Sequence, residues 1–201
     1  MVINLGALEA RHAHDIFTSC MIPRPIAWVS TVNADGKANL APFSFFTGVS
    51  WSPPVVAFSA VNRADGSVKD TVVNIRQTKE FVIHIVSVDF LETMEDTARP
   101  IPYGEDAACV HGIHLQPSQT VKPYRIQEAK VALECKLEQI VTVGEGANAG
   151  NLILGRVQLL HVRDDLLIDG KEVDWQGLDA LGRLSGNRYC TVRSVIESET
   201  N

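Results

Sequence analysis

The sequence is short of positive charge: 18 Lys and Arg stand against 24 Asp and Glu, for a formal net charge of −6. Phosphate backbones are bound by basic surfaces, so a nucleic-acid role is set aside. No apolar run reaches the roughly 18 residues of a membrane-spanning helix, and no membrane partner is expected. The N-terminal Met1-Val-Ile-Asn-Leu-Gly-Ala-Leu-Glu has no basic lead and meets an acid early, unlike a secretory signal. The four cysteines, Cys20, Cys109, Cys135 and Cys190, are far apart and form no C-x-x-C pair. Reduced thiols in a cytoplasmic protein are therefore expected, rather than a disulfide framework. Low-complexity linkers and internal repeats with periods of about 20 to 50 residues are also missing. With 45% hydrophobic residues, the 201-residue chain is expected to form one domain over 1–201 with a substantial core.

What is present is organised around Arg24–Phe46, which reads as two strands and a turn. From Ile26 to Val32, Trp28, Ser30 and Val32 fall on one side and Ala27, Val29 and Thr31 on the other. Asn33-Ala-Asp-Gly36 supplies turn chemistry, with Gly36 free to take a positive φ and Asp35 able to bond its own backbone. Pro42 lacks an N–H and belongs at an edge or strand end. Phe43-Ser-Phe-Phe-Thr47 then mixes hydroxyls with rings where the pairing must loosen, which suits a flat apolar ligand with a polar tail.

Further along, Leu8–Ile16 is expected to be a short helix with Leu8, His12 and Ile16 on one face. Val49–Pro54 reads as a loop and Val55–Ala60 as an apolar strand. Asp70 is expected to cap a helix continuing through Ile75 and Arg76, and Lys69, Thr71 and the helix N-terminus together suit a phosphate. An ordinary capped helix explains the same residues. Phe81–Val86 is a strand containing His84, expected as a satisfied core residue. Asp89 is a cap for a helix over Phe90–Ala98, and 105–127 is irregular. His111-x-x-His114 straddles Gly112, and no thiol or carboxylate motif completes a metal site. Lys130–Val143 and Leu152–Val162 are long strands. Glu134, Lys136 and Glu138 should make one face of the first wet, and Gly155 should mark a bend in the second. Short strands, turn signals and a few short helices indicate a mainly β chain built as an antiparallel Greek-key barrel.

The Arg24–Phe46 hairpin, Ser52-Pro-Pro-Val-Val-Ala-Phe-Ser59, Lys69-Asp-Thr-Val-Val-Asn-Ile75, Phe81-Val-Ile-His-Ile85, Asn151–Val157 and Arg183-Leu-Ser-Gly-Asn-Arg-Tyr189 recur in this order. Together they resemble the flavin reductase-like family, which includes the flavoredoxins, over roughly residues 20 to 190. The resemblance implies a split β-barrel that binds FMN near the interface of a homodimer. Ser30, Thr31, Ser44, Phe45 and Phe46 would contact the flavin, with Ser59 beside them. Lys69, Asp70 and Thr71 would hold its phosphate, and Tyr189 would arrive late in the chain, from this subunit or its partner. Trp28 and Phe45 are candidates for the flat wall, with core packing the competing role for Trp28. Two departures stand out. The Gly-Asp-His motif of many small flavin reductases is replaced here by Ala147-Asn-Ala-Gly-Asn-Leu152, and Ser185 takes the place of a glycine in the late motif.

The implied activity is an FMN-dependent oxidoreductase, with NADH or NADPH as electron donor and a partner oxygenase or other redox protein as acceptor. The cofactor carries such chemistry, so no catalytic side chain is assigned. The absent Gly-Asp-His also admits a flavoredoxin-like electron carrier with no nucleotide substrate. A metal-dependent hydrolase would rest on His111 and His114 alone.

Overall fold

A computed structural model describes residues 1–198, so the last three residues of the expected 1–201 domain lie outside the described residues. Its main body is one antiparallel sheet of seven strands. These are β1 (Ala27–Val32), β2 (Ala38–Phe43), β3 (Phe46–Trp51), β4 (Pro54–Val61), β5 (Glu80–Ile85), β6 (Val131–Val143) and β7 (Gly150–Val162). The hydrogen-bonded order is β2-β1-β5-β6-β7-β4-β3. The strands at the two ends, β2 and β3, follow one another in the chain, and Ser44-Phe45 joins them. That link brings the sheet edges together, and the Ser59 amide donates to the Phe45 carbonyl at 2.9 Å, extending the β3–β4 ladder into the link. The result is an antiparallel split β-barrel, as the sequence indicated.

Period-two alternation sorts the side chains into two layers. Ala27, Val29 and Phe43 face inward to meet Phe58, Phe81, Ile83, Cys135 and Ile153, and helix α2 (Asp70–Thr78) adds Val72 and Ile75. Phe58 lies at the centre, its ring 5.1 Å from that of Phe43 and 5.6 Å from that of Phe81. Ile26, Trp28 and Leu40 face outward, under a second layer from α3 (Leu91–Asp96), α4 (Ala107–Val110), Ile126 and Leu181. Each fully buried side chain of this size contributes about 1.5–3 kcal/mol of transfer free energy. A small sheet of Arg24–Pro25, Leu181–Arg183 and Tyr189–Thr191 closes one end. Helix α1 (Ala10–Cys20) crosses nearby, two residues later in starting and four later in ending than its sequence pattern suggested.

Several local expectations are corrected. In the β1–β2 turn Gly36 does take φ +78°, but the side chain that organises the loop is Asn33. Its Oδ1 accepts from the amides of Asp35 at 3.0 Å and Lys37 at 2.9 Å. Most of Val49–Pro54 is not loop: Phe46–Trp51 pairs with β4, because hydroxyl and glycine residues tolerate an edge position. Asp70 is the first helical residue, and Lys69 occupies the cap position with no side-chain capping bond. Asp70 instead pairs with Arg63 at 2.8 Å. Asp89 pairs with Lys130 at 3.0 Å instead of capping. The 105–127 stretch holds α4 and a two-residue ladder between Leu115–Gln116 and Arg125–Ile126. That segment covers β6, so Glu134 on the supposedly wet face is fully buried. Gly155 marks a register shift between β6 and β7, as its bend predicted.

Candidate functional site

A cleft of about 1240 Å³ lies between α1, the ends of β2 and β4, and the small sheet. Pro42, Ser44, Phe45, Val61 and Asn148 are among the residues that line it. Phe17 of α1 faces Phe45 at 6.5 Å between ring centroids. Phe17 is 47% exposed, an unusual state for a ring on a helix that has a core to reach.

Arg24 holds this cleft together. Its Nη1 donates to the carbonyls of Thr18 at 2.6 Å and Met21 at 2.8 Å, fixing the C-terminal end of α1. Its Nη2 donates to Leu184 O at 2.9 Å, and its Nε approaches Ser44 Oγ at 3.4 Å. The guanidinium also lies 5.9 Å from the Phe45 centroid. These acceptors are neutral, so they satisfy the donors without balancing the charge. Burial, and then nearby Arg183, hold the Arg24 guanidinium below its ordinary pKa. Arg183 stacks on the Tyr189 ring at 4.5 Å and donates to its hydroxyl, which donates in turn to Glu95 Oε1 at 2.9 Å.

A second cluster of charge stands at the start of α2. Val61, which ends β4, lines the cleft, and Arg63 follows two residues later. Arg63 anchors its loop through the Val68 carbonyl and pairs with Asp70. Lys69 is its neighbour. Burial first, then Arg63, lower the Lys69 ammonium below its usual value, against a smaller opposite pull from Asp70. The Lys69 ammonium thus lies near the Arg63–Asp70 ion pair, beside a helix N-terminus that no side chain caps. Thr31, Asn39, Thr71 and Asn74 lie alongside in a buried network. Asn39 Nδ2 donates to Thr71 Oγ1 at 3.0 Å, and Asn74 Nδ2 donates to Thr31 Oγ1 at 3.1 Å.

The ten residues singled out in the sequence therefore fall into distinct places. Ser44, Phe45 and Tyr189 line the cleft. Ser59 adjoins them through its amide bond to Phe45, and Phe46 packs between cleft and barrel core, paired with Phe58. Thr31, Lys69, Asp70 and Thr71 gather at the α2 cluster. Ser30 is brought to neither: it is fully buried on the other face of β1, and its hydroxyl has no partner among the described residues. Trp28 is a core residue, 1% exposed, with its indole N–H on Thr97 Oγ1 at 2.9 Å, and so presents no face to a ligand. Arg24, Arg63, Asn39, Phe17 and Arg183 are the contributors that residue-level reading did not select. Each acts through a fold-dependent neighbour; only the adjacency of Arg63 to the Lys69 segment was a usable signal.

His84 is fully buried. Its Nδ1 meets the Trp28 carbonyl at 3.0 Å, and its Nε2 accepts the Ile126 amide at 2.9 Å. Burial above all lowers its pKa to about 4. His114 pairs with Glu128 at 2.7 Å, and among the described residues no three His, Cys, Asp or Glu side chains converge as metal ligands.

Comparison with known proteins decides the lineage. The model of the flavin reductase like domain matches residues 18–175. The chain belongs to the flavin reductase-like family. A protein of Aquifex aeolicus is 41% identical over 169 residues, 84% of either chain. Among solved structures, nitrilotriacetate monooxygenase component B from Bacillus cereus superposes with a TM-score of 0.93 at 30% identity, covering 98% of both chains. The 2-nitrobenzoate 2-nitroreductase of Pseudomonas fluorescens gives 0.88 at 27% identity, covering 100% of this chain and 96% of that one. Family membership accounts for the split barrel, and both neighbours are named for redox systems.

Proposed function

We propose that this flavin reductase-like protein binds FMN and is an NAD(P)H-dependent flavin oxidoreductase acting as one unit over 1–201. The observation that carries the reading is the Lys69 ammonium near the Arg63–Asp70 ion pair at the uncapped start of α2. That donor set fits a phosphomonoester: an ammonium, a guanidinium and main-chain amides, with the Thr71 hydroxyl close by. The cleft, whose lining reaches Val61 two residues before Arg63, sets Phe17, Phe45 and Met94 among polar side chains, a mixture that suits a flat ring system with polar edges.

Bound FMN would accept a hydride and return electrons to an acceptor. The protein's part is to bind and orient. Lys69 and Thr71 hold the phosphate. Ser44, Ser59 and the loosened backbone from Pro42 to Phe46 supply polar contacts, and Phe45 excludes water from one side of the ring. Tyr189, tied to Glu95, borders the open side where a second reactant enters. His84 takes no part, since both its nitrogens are engaged in the core.

The chain further reads as a cytoplasmic homodimer. Strand β3 leaves one backbone edge unpaired, and its Trp51 is 93% exposed beside half-exposed Val49, an apolar edge of the kind that a second copy covers. The similarity to a monooxygenase component supports an oxygenase as acceptor.

The test is an anaerobic visible spectrum of the protein with FMN, recorded before and after NADH and then NADPH. Bleaching by either nucleotide supports the reductase and names the donor. Bands that persist until dithionite favour an electron carrier, the reading suggested by the Ala147–Leu152 departure. Failure to bind FMN removes both.

A further inference from the structure

The cleft is larger than one ligand requires. Sites that bury a drug-sized molecule run to about 300–1,000 Å³, and this one reaches about 1240 Å³. Its charges are unevenly sheltered: of Arg11, Arg24, Arg183, Glu9, Asp15 and Glu95 in its lining, only Arg24 and Arg183 are not exposed. Arg24 is nearly buried, and its named partners are three carbonyls and a serine hydroxyl. Arg183 stands close enough to depress it. The carboxylate of Glu95, itself exposed, stays 3.8 Å from Arg183 Nη1 and accepts from the Tyr189 hydroxyl. Of the other acids in the lining, Glu9 and Asp15 are exposed, and Asp15 is shared by Arg11 at 3.8 Å and His14 at 3.4 Å.

Arg183 has capacity to spare. A guanidinium carries five N–H donors in a planar fork, and among the described residues Arg183 has one named hydrogen bond, to Tyr189. Its side chain is 26% exposed, so the fork is reachable from the cleft. The ring of Tyr189 below it and the hydroxyl contact hold the plane in one orientation, which reduces the entropy lost when a second partner binds. Arg24, in contrast, is used up in holding α1, Leu184 and Ser44. The cleft that holds Arg183 also presents apolar surface, from Met94, Leu184, Phe45 and Phe17.

We infer that the cleft binds a small aromatic carboxylate, with the carboxylate on the Arg183 fork and the ring between the apolar walls. Bidentate carboxylate binding matches the fork, and the Arg24 charge behind it adds a long-range attraction in a partly dry site. The site places the anion's ring in the same cleft as the proposed flavin, so the assignment as a reactant rests on that reading. The binding itself does not.

The test is calorimetric titration of the full chain, with and without FMN, using benzoate, neutral benzamide and inorganic pyrophosphate as probes. Saturable benzoate binding is expected, with benzamide weaker by about tenfold or more, the scale of a lost charge-assisted pair. Arg183→Gln should weaken benzoate to the level of benzamide and Arg183→Lys should retain part of it, in the flavin-free protein as well as with FMN. Equal affinity for benzoate and benzamide, or an Arg183→Gln variant that binds benzoate normally, would overturn the inference. So would pyrophosphate binding more tightly than benzoate through Arg183, which would make the fork a nucleotide phosphate site. Loss of FMN binding in the folded Arg183→Gln and Arg183→Lys proteins would also overturn it, by assigning the fork to the flavin. If the unaltered protein binds no FMN, the flavin reading fails alone, because benzoate binding to the flavin-free protein still reads this site.

Discussion

His84 and Ile126 are joined across the outer face of the barrel by one hydrogen bond, the Ile126 amide donating to His84 Nε2 at 2.9 Å. Since Nε2 accepts, the ring proton is on Nδ1, where it meets the Trp28 carbonyl. The imidazole is therefore neutral and bridges β1 to the segment that covers β6.

This arrangement sets a pH dependence. The folded His84 pKa is lowered from 6.5 to about 4, so between these values the unfolded chain binds the extra proton. Its contribution is complete above pH 6.5, is lost as pH falls towards 4, and amounts to about 3 kcal/mol in all. His84→Gln should flatten the slope of stability over this window in denaturant titrations. An unchanged slope would mean that the His84 pKa is the same in the folded and the unfolded chain.

Glu134 titrates lower. Burial alone would raise its pKa, but the Thr120 hydroxyl, the Gln119 and Thr120 amides and His161 together bring it down to about 2. A depressed acid stabilises above its unfolded value of 4.5, and that stabilisation is lost as pH drops towards 2. Glu134→Gln should cost about 2–4 kcal/mol at neutral pH, since two amide donors lose an ionised acceptor. It should also expose residues 117–126 to proteolysis, and a protected segment in the variant would show that other contacts hold it.

A Cβ on Gly155 would lie 2.2 Å from Cζ of Phe81, with the ring edges close behind. Gly155→Ala should therefore destabilise the barrel by about 1–3 kcal/mol, the usual cost of overpacking. Adding Phe81→Leu should recover part of that loss in a double-mutant cycle. Strictly additive effects would show that the backbone bends away from the ring.

Lys69→Ala should weaken FMN binding by about tenfold or more, as expected for removing a half-buried ammonium from a phosphate. Flavin fluorescence titration measures it, and an unaltered dissociation constant would move the phosphate elsewhere.

Trp51→Glu should convert the proposed dimer to a monomer in light scattering, because a charge replaces an apolar anchor on the open β3 edge. A variant that remains dimeric would exclude this edge as the interface.

The barrel was legible because its signals are local. Alternation in Ala27–Val32, the Gly36 turn and the bend at Gly155 each act within a few residues. Glu134 was misread because its cover comes from a segment more than ten residues away with no period of its own. Trp28 could not be resolved from sequence, since core and ligand walls ask for the same ring; the Thr97 hydroxyl decides it. In the candidate site, the Lys69–Thr71 segment was visible as a helix start. The cleft was not: it exists where α1, β2 and the late Arg183–Tyr189 segment meet, over a separation of more than 150 residues.

The tip of the β6–β7 hairpin reaches back to the loop that carries Arg63. The Asn62 amide donates to Ala149 O and its side chain to Gly146 O, both at 2.9 Å, while Asn151 Nδ2 donates to Asn62 Oδ1 at 2.8 Å. These ties join residues more than 80 positions apart, and loop closure on that scale comes late in assembly. The Arg63–Lys69 pair is thus among the last features to take shape as the chain folds. In refolding, capture of the cofactor should lag behind the recovery of secondary structure, so that flavin uptake reports a finished barrel.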